Sequence, residues 1–239
     1  MQRAIANGII SVSTHNLRDW ATDKHHVTDD TPFGGGGGMV LKVEPVFSAI
    51  TSLQENQSPC PVILMSPQGQ ALDHALAASF SKQERCIILC GRYEGVDERI
   101  REYLITDEVS IGDYVLSGGE LPALVLMEAV MRLLPGALGA PNGANEDSFA
   151  HGLLEGPHYT RPAKFRNWTV PDILLSGNHQ HINRWRRKQA WRRTLSRRPD
   201  LAGEMTLSGI DIELLNEIKA ESGQALAIHL IEAILRGEE

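Results

Sequence analysis

Three apolar runs, at residues 61–65, 85–90 and 107–111, are short and bounded by polar or glycine-containing stretches. Runs of that length between turn signals predict buried strands. Residues 44–56, 72–82, 97–104 and 120–134 read as helices placed around them. Pro122 suits the first turn of the last helix, where its missing N–H costs nothing, and Pro135-Gly136 ends it. This alternation predicts an α/β domain with a largely parallel sheet. The segment Gly139-Ala140-Pro141-Asn142-Gly143-Ala144-Asn145 reads as a linker. Beyond it, residues 181–197, 208–221 and 224–236 read as helices with no clear strand between them. The predicted organisation is an α/β domain over 1–138, a linker over 139–146 and a small C-terminal α-helical domain over 147–239.

Two of the strands run into glycine-rich polar loops. Arg85–Cys90 continues into Gly91-Arg92-Tyr93-Glu94-Gly95, and Val109–Leu116 into Ser117-Gly118-Gly119-Glu120. A glycine after a buried strand lets the backbone approach a ligand, because no Cβ stands in the way. Ligands of open α/β sheets sit in the crevice beyond the strand ends. The paired loops are therefore the candidate small-molecule site. A further run, Gly34 to Gly38, precedes the apolar Met39-Val40-Leu41. It suits either a flexible linker or a mobile loop that closes over a ligand or meets RNA.

Composition narrows the class. The chain has 239 residues, 42% of them hydrophobic and 22% charged, as in ordinary globular proteins. The longest apolar stretch, Leu121 to Leu134, is interrupted by Glu128 and Arg132 and falls short of the ~20 residues of a membrane span. No basic-then-apolar signal pattern opens the sequence. The expectation is a soluble cytoplasmic protein that does not engage membranes. Cys60, Cys86 and Cys90 are an odd number with no sign of secretion, which points away from a disulfide framework. Cys86 and Cys90 lie in an apolar run and suit buried structural thiols. His25-His26 and His179-x-His181 are too isolated to argue for a metal.

The net charge of −7 does not suggest a nucleic-acid partner, but its distribution does. No acid occurs from Asn183 to Pro199, whereas Arg184, Arg186, Arg187, Lys188, Arg192, Arg193, Arg197 and Arg198 all do, with Trp185 and Trp191 interleaved. A local basic stripe governs phosphate binding more than the global balance does. The competing interpretation is a solvated helix face with the tryptophans packed inward.

Five motifs then occur in order. They are Ser66-Pro67-Gln68-Gly69, the Gly91–Arg99 stretch, Ser110–Glu120, Glu146-Asp147-Ser148-Phe149 and Pro157-His158-Tyr159-Thr160-Arg161-Pro162. Together the sequence resembles the bacterial tRNA (guanine-N(1)-)-methyltransferases of the SPOUT class, over roughly residues 1 to 215. The resemblance implies a knotted, SPOUT-type α/β domain that binds S-adenosylmethionine and a helical domain that binds tRNA. It implies a homodimer with sites at the subunit interface. It also implies a target guanosine immediately 3′ of the anticodon. A knot is an exception to the rule that chains do not thread loops, and no sequence pattern reveals it. The alternatives are a knotted methyltransferase acting on a ribose 2′-hydroxyl or on ribosomal RNA, and a non-catalytic RNA-binding protein. The Glu146–Phe149 segment favours the first reading.

Residue roles follow by resemblance. Guanine N(1) carries a proton at neutral pH, so methylation there needs a base, and Asp147 is that base. Taken alone, an aspartate at this place also suits a helix N-cap. Arg132 is the cation facing the guanine oxygen as charge develops. It also sits one turn after Glu128, at ion-pair spacing. Leu64, Ser66, Pro67, Gln68, Gly91, Ile111, Gly112, Asp113, Tyr114, Val115, Leu116, Gly118 and Gly119 surround the donor. Glu94 is the candidate ligand of a Mg²⁺ ion, although a lone carboxylate is weak evidence for a metal. Arg92 meets RNA phosphate or the donor carboxylate. His158, Tyr159 and Arg161 offer stacking and phosphate contacts, and Arg184, Arg187 and Lys188 hold the anticodon stem. Two departures stand out. The family opens with a strand and a Leu-Phe-Pro-type turn, whereas this sequence begins at the helix that follows, so the sheet is expected to be short of one strand and to show an edge. The second is Gly37, where relatives often carry Pro or Ala inside the glycine loop, a change expected to make the loop more mobile; Glu155, where Asp is usual, keeps the charge with a longer reach.

Overall fold

The computed structural model describes residues 1–139, 143–203, 205–221 and 225–236. The elements in order are α1 (Gln2–Ala6), β1 (Asp29–Asp30), β2 (Val40–Leu41), α2 (Val43–Gln54), β3 (Val62–Ala71), α3 (His74–Phe80), β4 (Ile87–Cys90), α4 (Glu98–Tyr103), β5 (Asp107–Ser110) and α5 (Glu120–Arg132). There follow β6 (Lys164–Phe165), β7 (Trp168–Thr169), α6 (His179–Arg197), α7 (Pro199–Gly203), α8 (Gly209–Glu221) and α9 (Ala225–Arg236). The chain divides into two compact units, Met1–Pro141 and Asn142–Glu239. The linker expected over 139–146 lies partly outside the described residues, at 140–142, and residues 143–145 form a single 3₁₀ turn.

The first unit is built on a parallel three-stranded sheet in the order β4-β3-β5. Its central strand explains the continuous apolar run: residues 62–65 are buried on both faces. Val62 and Leu64 point to one side, where they pack with Val46 and Ile50 of α2 and Ile100 of α4. Ile63 and Met65 point to the other, against Phe80 of α3 and Leu126 of α5. Each face of the sheet therefore has its own helical cover. The helices start where the sequence supplies caps: Asp73 accepts from the Leu76 amide at 2.7 Å and Asp97 from the Arg99 amide at 3.0 Å. No further strand pairs with β4 or β5 among the described residues.

Strand β3 departs from expectation. The apolar run stops at Met65, yet the strand continues to Ala71. Met65 and Gln70 both pair with Val109, so residues 66–69 are pushed out of the ladder as a bulge. Pro67 has no amide to give the ladder, and Gly69 lies against the Glu108–Val109 backbone, where a Cβ has no room. Cys86 and Cys90 are half-buried rather than buried, because β4 is an outer strand whose residues are only partly covered.

In the second unit, Trp191 of α6 is fully buried among Leu153, Leu214, Leu215, Ile218 and Ile231. This unit also contains the β6–β7 hairpin, too short to leave a pattern in the sequence. It is therefore not purely helical.

Candidate active site

Two loops that leave the carboxyl ends of β4 and β5, together with the bulge of β3, enclose one cavity of about 340 Å³. Its walls are Ser66–Gln68 from the β3 bulge, Gly91–Val96 after β4, and Ile111, Gly112 and Tyr114–Gly119 after β5, together with Leu64, Arg101 and Pro122. The loops are held to one another by backbone. The Gly119 amide donates to the Gly91 carbonyl at 2.8 Å, and Arg92 and Gly118 form an antiparallel bridge. A Cβ on Gly119 would stand 2.7 Å from Cys90 Cα and 2.9 Å from the Gly91 nitrogen, so this contact requires glycine. Gly112 has φ +144° and carries the Tyr114 ring over its Cα, where a Cβ would lie 2.6 Å from the ring. Ser110 Oγ ties the same turn, donating to the Gly112 carbonyl at 3.1 Å and accepting from the Gly112 amide at 3.2 Å.

The charges around the cavity are specific. Arg92 Nη1 lies 3.3 Å from Glu120 Oε1 across the mouth, with both side chains exposed. Arg101 is mostly covered and joins Glu98 at 2.7 Å and Glu108 at 2.9 Å. Glu94 is the sole carboxylate among the lining residues, and its amide donates to the Met39 carbonyl at 3.0 Å. That bond anchors the downstream end of the Gly34–Gly38 run to the cavity wall. Among the described residues, no three His, Cys, Asp or Glu side chains gather to hold a metal ion. No described helix is long and apolar enough to cross a membrane.

In the second unit, a cavity of about 610 Å³ is lined by His158, Tyr159 and Arg161 together with His179 and Arg186. His158 Nε2 lies 3.1 Å from Glu155 Oε2. Asp147 is half-buried and starts a turn in which its carbonyl accepts from the Ala150 amide at 3.3 Å. It caps no described helix, so that interpretation falls away. The basic stripe of α6 is largely matched by acids. Arg187 reaches Asp211 through Nε at 2.8 Å and Nη2 at 3.2 Å. Arg184 binds Glu217 at 2.5 Å, Lys188 binds Glu217 at 2.7 Å and Glu221 at 2.8 Å, and Arg192 also binds Glu221. These partners hold the Glu217 carboxyl down at about 2, chiefly through Arg184 and then Lys188. For Asp211, burial works to raise the pKa, and hydrogen bonds from Arg187, Ser208 and Trp191 outweigh it and hold the carboxyl well below its ordinary range.

The family model of tRNA (Guanine-1)-methyltransferase TrmD matches residues 1–204. The chain belongs to this family. A tRNA (guanine-N(1)-)-methyltransferase of Dehalococcoides mccartyi is 56% identical over 221 residues, which are 92% of this chain and 89% of the relative. The enzyme of that name from Moorella thermoacetica is 54% identical over 226 residues, 94% of this chain and 90% of its own. The one from Dictyoglomus turgidum is 51% identical over 221 residues, with 92% and 89% coverage.

For a member of this family, the tertiary structure sorts the expected site residues. Leu64, Ser66, Pro67, Gln68, Gly91, Ile111, Gly112, Tyr114, Val115, Leu116, Gly118 and Gly119 all line the first cavity, as do Arg92 and Glu94. Asp113 does not, because the turn closed by the Tyr114 amide on the Gly112 carbonyl at 2.9 Å puts it outside the wall. Arg132 ends α5 and is not among the lining residues. Arg184, Arg187 and Lys188 are ion-paired with acids of α8. No motif marks Arg101, which lines the first cavity; its signal in the sequence is Glu98, three residues before it on α4. Arg186, in the sequence one base of the stripe among others, lines the second cavity.

Proposed function

We propose that this protein transfers a methyl group from S-adenosylmethionine to N(1) of the guanosine that follows the tRNA anticodon. The observation that carries the reading is the first cavity: two glycine-bearing loops, joined by the Gly119–Gly91 hydrogen bond, facing the β3 bulge on a parallel sheet. Its volume and its largely main-chain, apolar walls suit a flat adenine ring read by backbone N–H and C=O groups. When bound, the donor supplies an electrophilic methyl on a sulfonium sulfur, which leaves as a neutral thioether.

The chain's own groups do the rest. Asp147 takes the N(1) proton, so that the nitrogen pair forms the new bond to carbon. Arg132 faces the guanine oxygen, where negative charge grows as that proton departs. Arg92, held by Glu120 at the mouth, offers its guanidinium to an incoming anionic oxygen. Were a Mg²⁺ ion to bind at this cavity, Glu94, its sole lining carboxylate, would be the protein residue to hold it. In this reading the interlocked loops are the family's trefoil knot. Support for the knot comes from the second pairing of β3 with β5, at Gln70 and Ala71, and from the Arg92–Gly118 bridge.

We read the protein as a homodimer in the cytoplasm, with Asp147 and the RNA grip of one subunit serving the donor cavity of the other. Leu121, Leu124 and Val125 support this, since they form an exposed apolar stripe at helical spacing on α5. A test uses two tRNA transcripts that differ only in the target guanosine, with labelled donor. Label is expected on the first transcript alone, and equal labelling of both rejects the target. Calorimetry with S-adenosylmethionine alone tests the cavity assignment, and no heat of binding would remove it.

A further inference from the structure

The β6–β7 hairpin is the most exposed aromatic feature of the second unit. Phe165 and Trp168 are cross-strand partners on either side of a two-residue turn, in which Arg166 adopts φ +55°. Their ring centroids lie 5.8 Å apart at an interplanar angle of 50°. Phe165 remains 54% exposed and Trp168 69% exposed, so neither ring serves the core. An aromatic pair left in water by a short, hydrogen-bonded hairpin is unfavourable unless something covers it.

The charges identify what that is. Arg166 lies over the Phe165 ring at 5.6 Å, and Lys164 begins the hairpin. Neither base has an ion-pair partner among the described residues, in contrast to Arg184, Lys188 and Arg192 on α6. Asp172 is the sole acid between Gly156 and Arg198. The hairpin also stands on the rim of the second cavity, because Ala163 and Val170, which close its base through a 2.9 Å hydrogen bond, both line that cavity with Arg161 and Arg186. Four cations without ion-pair partners among the described residues, Arg161, Lys164, Arg166 and Arg186, thus lie on the hairpin or line the cavity it borders, and the exposed Phe165 and Trp168 rings belong to the same hairpin. Exposed π-faces interleaved with unpaired cations are the arrangement that holds unpaired bases and their phosphates. A paired duplex offers phosphates but no free base face.

We propose that the hairpin is a stacking platform for an unpaired segment of the tRNA, with Trp168 and Phe165 taking loop bases other than the methylated one and Arg166 and Lys164 taking their phosphates. This rests on the tRNA reading above and extends it to residues that the motifs did not mark.

The test measures binding of a labelled anticodon stem-loop RNA, and of a fully paired duplex of equal length, to the full chain and to Trp168→Ala, Phe165→Ala and Trp168→Phe. Each alanine variant is expected to weaken stem-loop binding roughly tenfold while changing duplex binding less than about threefold, and Trp168→Phe is expected to keep most of the affinity. Unchanged stem-loop binding in both alanine variants overturns the platform, as does an equal loss on the duplex. Thermal melts and the affinity for S-adenosylmethionine are measured on the same proteins and are expected to stay at the parent values. A parent that binds the stem-loop but not the donor would defeat the methyltransferase reading and leave the platform standing.

Discussion

Gly119 and Gly91, twenty-eight positions apart in the chain, are joined amide to carbonyl at 2.8 Å. That single bond makes one wall out of two loops that leave different strands. It is possible because Gly119 has no side chain: the space a Cβ would need is filled by the backbone of Cys90 and Gly91. Backbone cannot rotate away as a side-chain tip can, so the contact is intolerant of any larger residue.

Gly119→Ala is accordingly expected to lose donor binding before it loses its fold. Overpacking of this kind costs about 1–3 kcal/mol. A lowered Tm together with at least about a tenfold rise in the donor Kd by calorimetry is the expected result. A variant that binds the donor normally would show that the loop junction does not shape the cavity.

Asp211 organises the second unit. Its carboxylate accepts from Arg187, from the buried Trp191 Nε1 at 2.7 Å and from Ser208 Oγ at 2.6 Å. Asp211→Ala leaves that indole N–H and a partly covered guanidinium without their acceptor, and about 3 kcal/mol of stability is expected to go. Arg187→Ala should cost less, since the guanidinium is a third exposed while the Asp211 carboxylate remains bonded to Trp191 and Ser208. Urea midpoints of the two variants give the comparison.

Acid should weaken the same unit. Folding lowers the Glu217 carboxyl from 4.5 to about 2 and lowers Asp211 as well. A carboxyl depressed by folding contributes stability that is fully present above its unfolded value and is lost as the pH falls toward its folded one. The urea midpoint is therefore expected to fall steadily from about pH 4.5 toward pH 2. Glu217 is exposed to solvent, so its share is small and screened by salt, and the larger part comes from Asp211. Asp211→Asn should flatten the acid limb.

The thiols of Cys86 and Cys90 are both pushed up to about 11, chiefly by burial, with Glu120 adding to the effect at Cys90. At pH 8 they are thiols, not thiolates, and native protein should leave both unalkylated by iodoacetamide while unfolded protein is labelled at both. Mass spectrometry of the peptides carrying them decides this, and fast native labelling of Cys90 would show that β4 opens next to Gly91.

The elements were legible wherever local chemistry dictates them. Val62–Met65 are apolar because both faces of a central strand are covered, and α3 and α4 begin where an aspartate can take an orphan amide. The cavity was legible for the same reason, since glycines that follow buried strands mark backbone meant to be approached. Short features escaped. Two-residue strands such as β6 and β7 leave no period to read, and a register shift such as that of β3 is an agreement between two strands distant in sequence.

Charge shows the division most clearly. The sequence alone determined that α6 carries an acid-free basic stripe, because that is a property of consecutive residues. It could not show that Asp211, Glu217 and Glu221 of α8 would lie against that stripe, because Coulomb interactions depend on distance in space. Only the packing of α8 on α6 decided that Arg184, Arg187 and Lys188 are matched internally. Only the turn of the chain around the second cavity decided that Arg161 and Arg186, without ion-pair partners among the described residues, line one cavity bordered by the hairpin that carries Lys164 and Arg166.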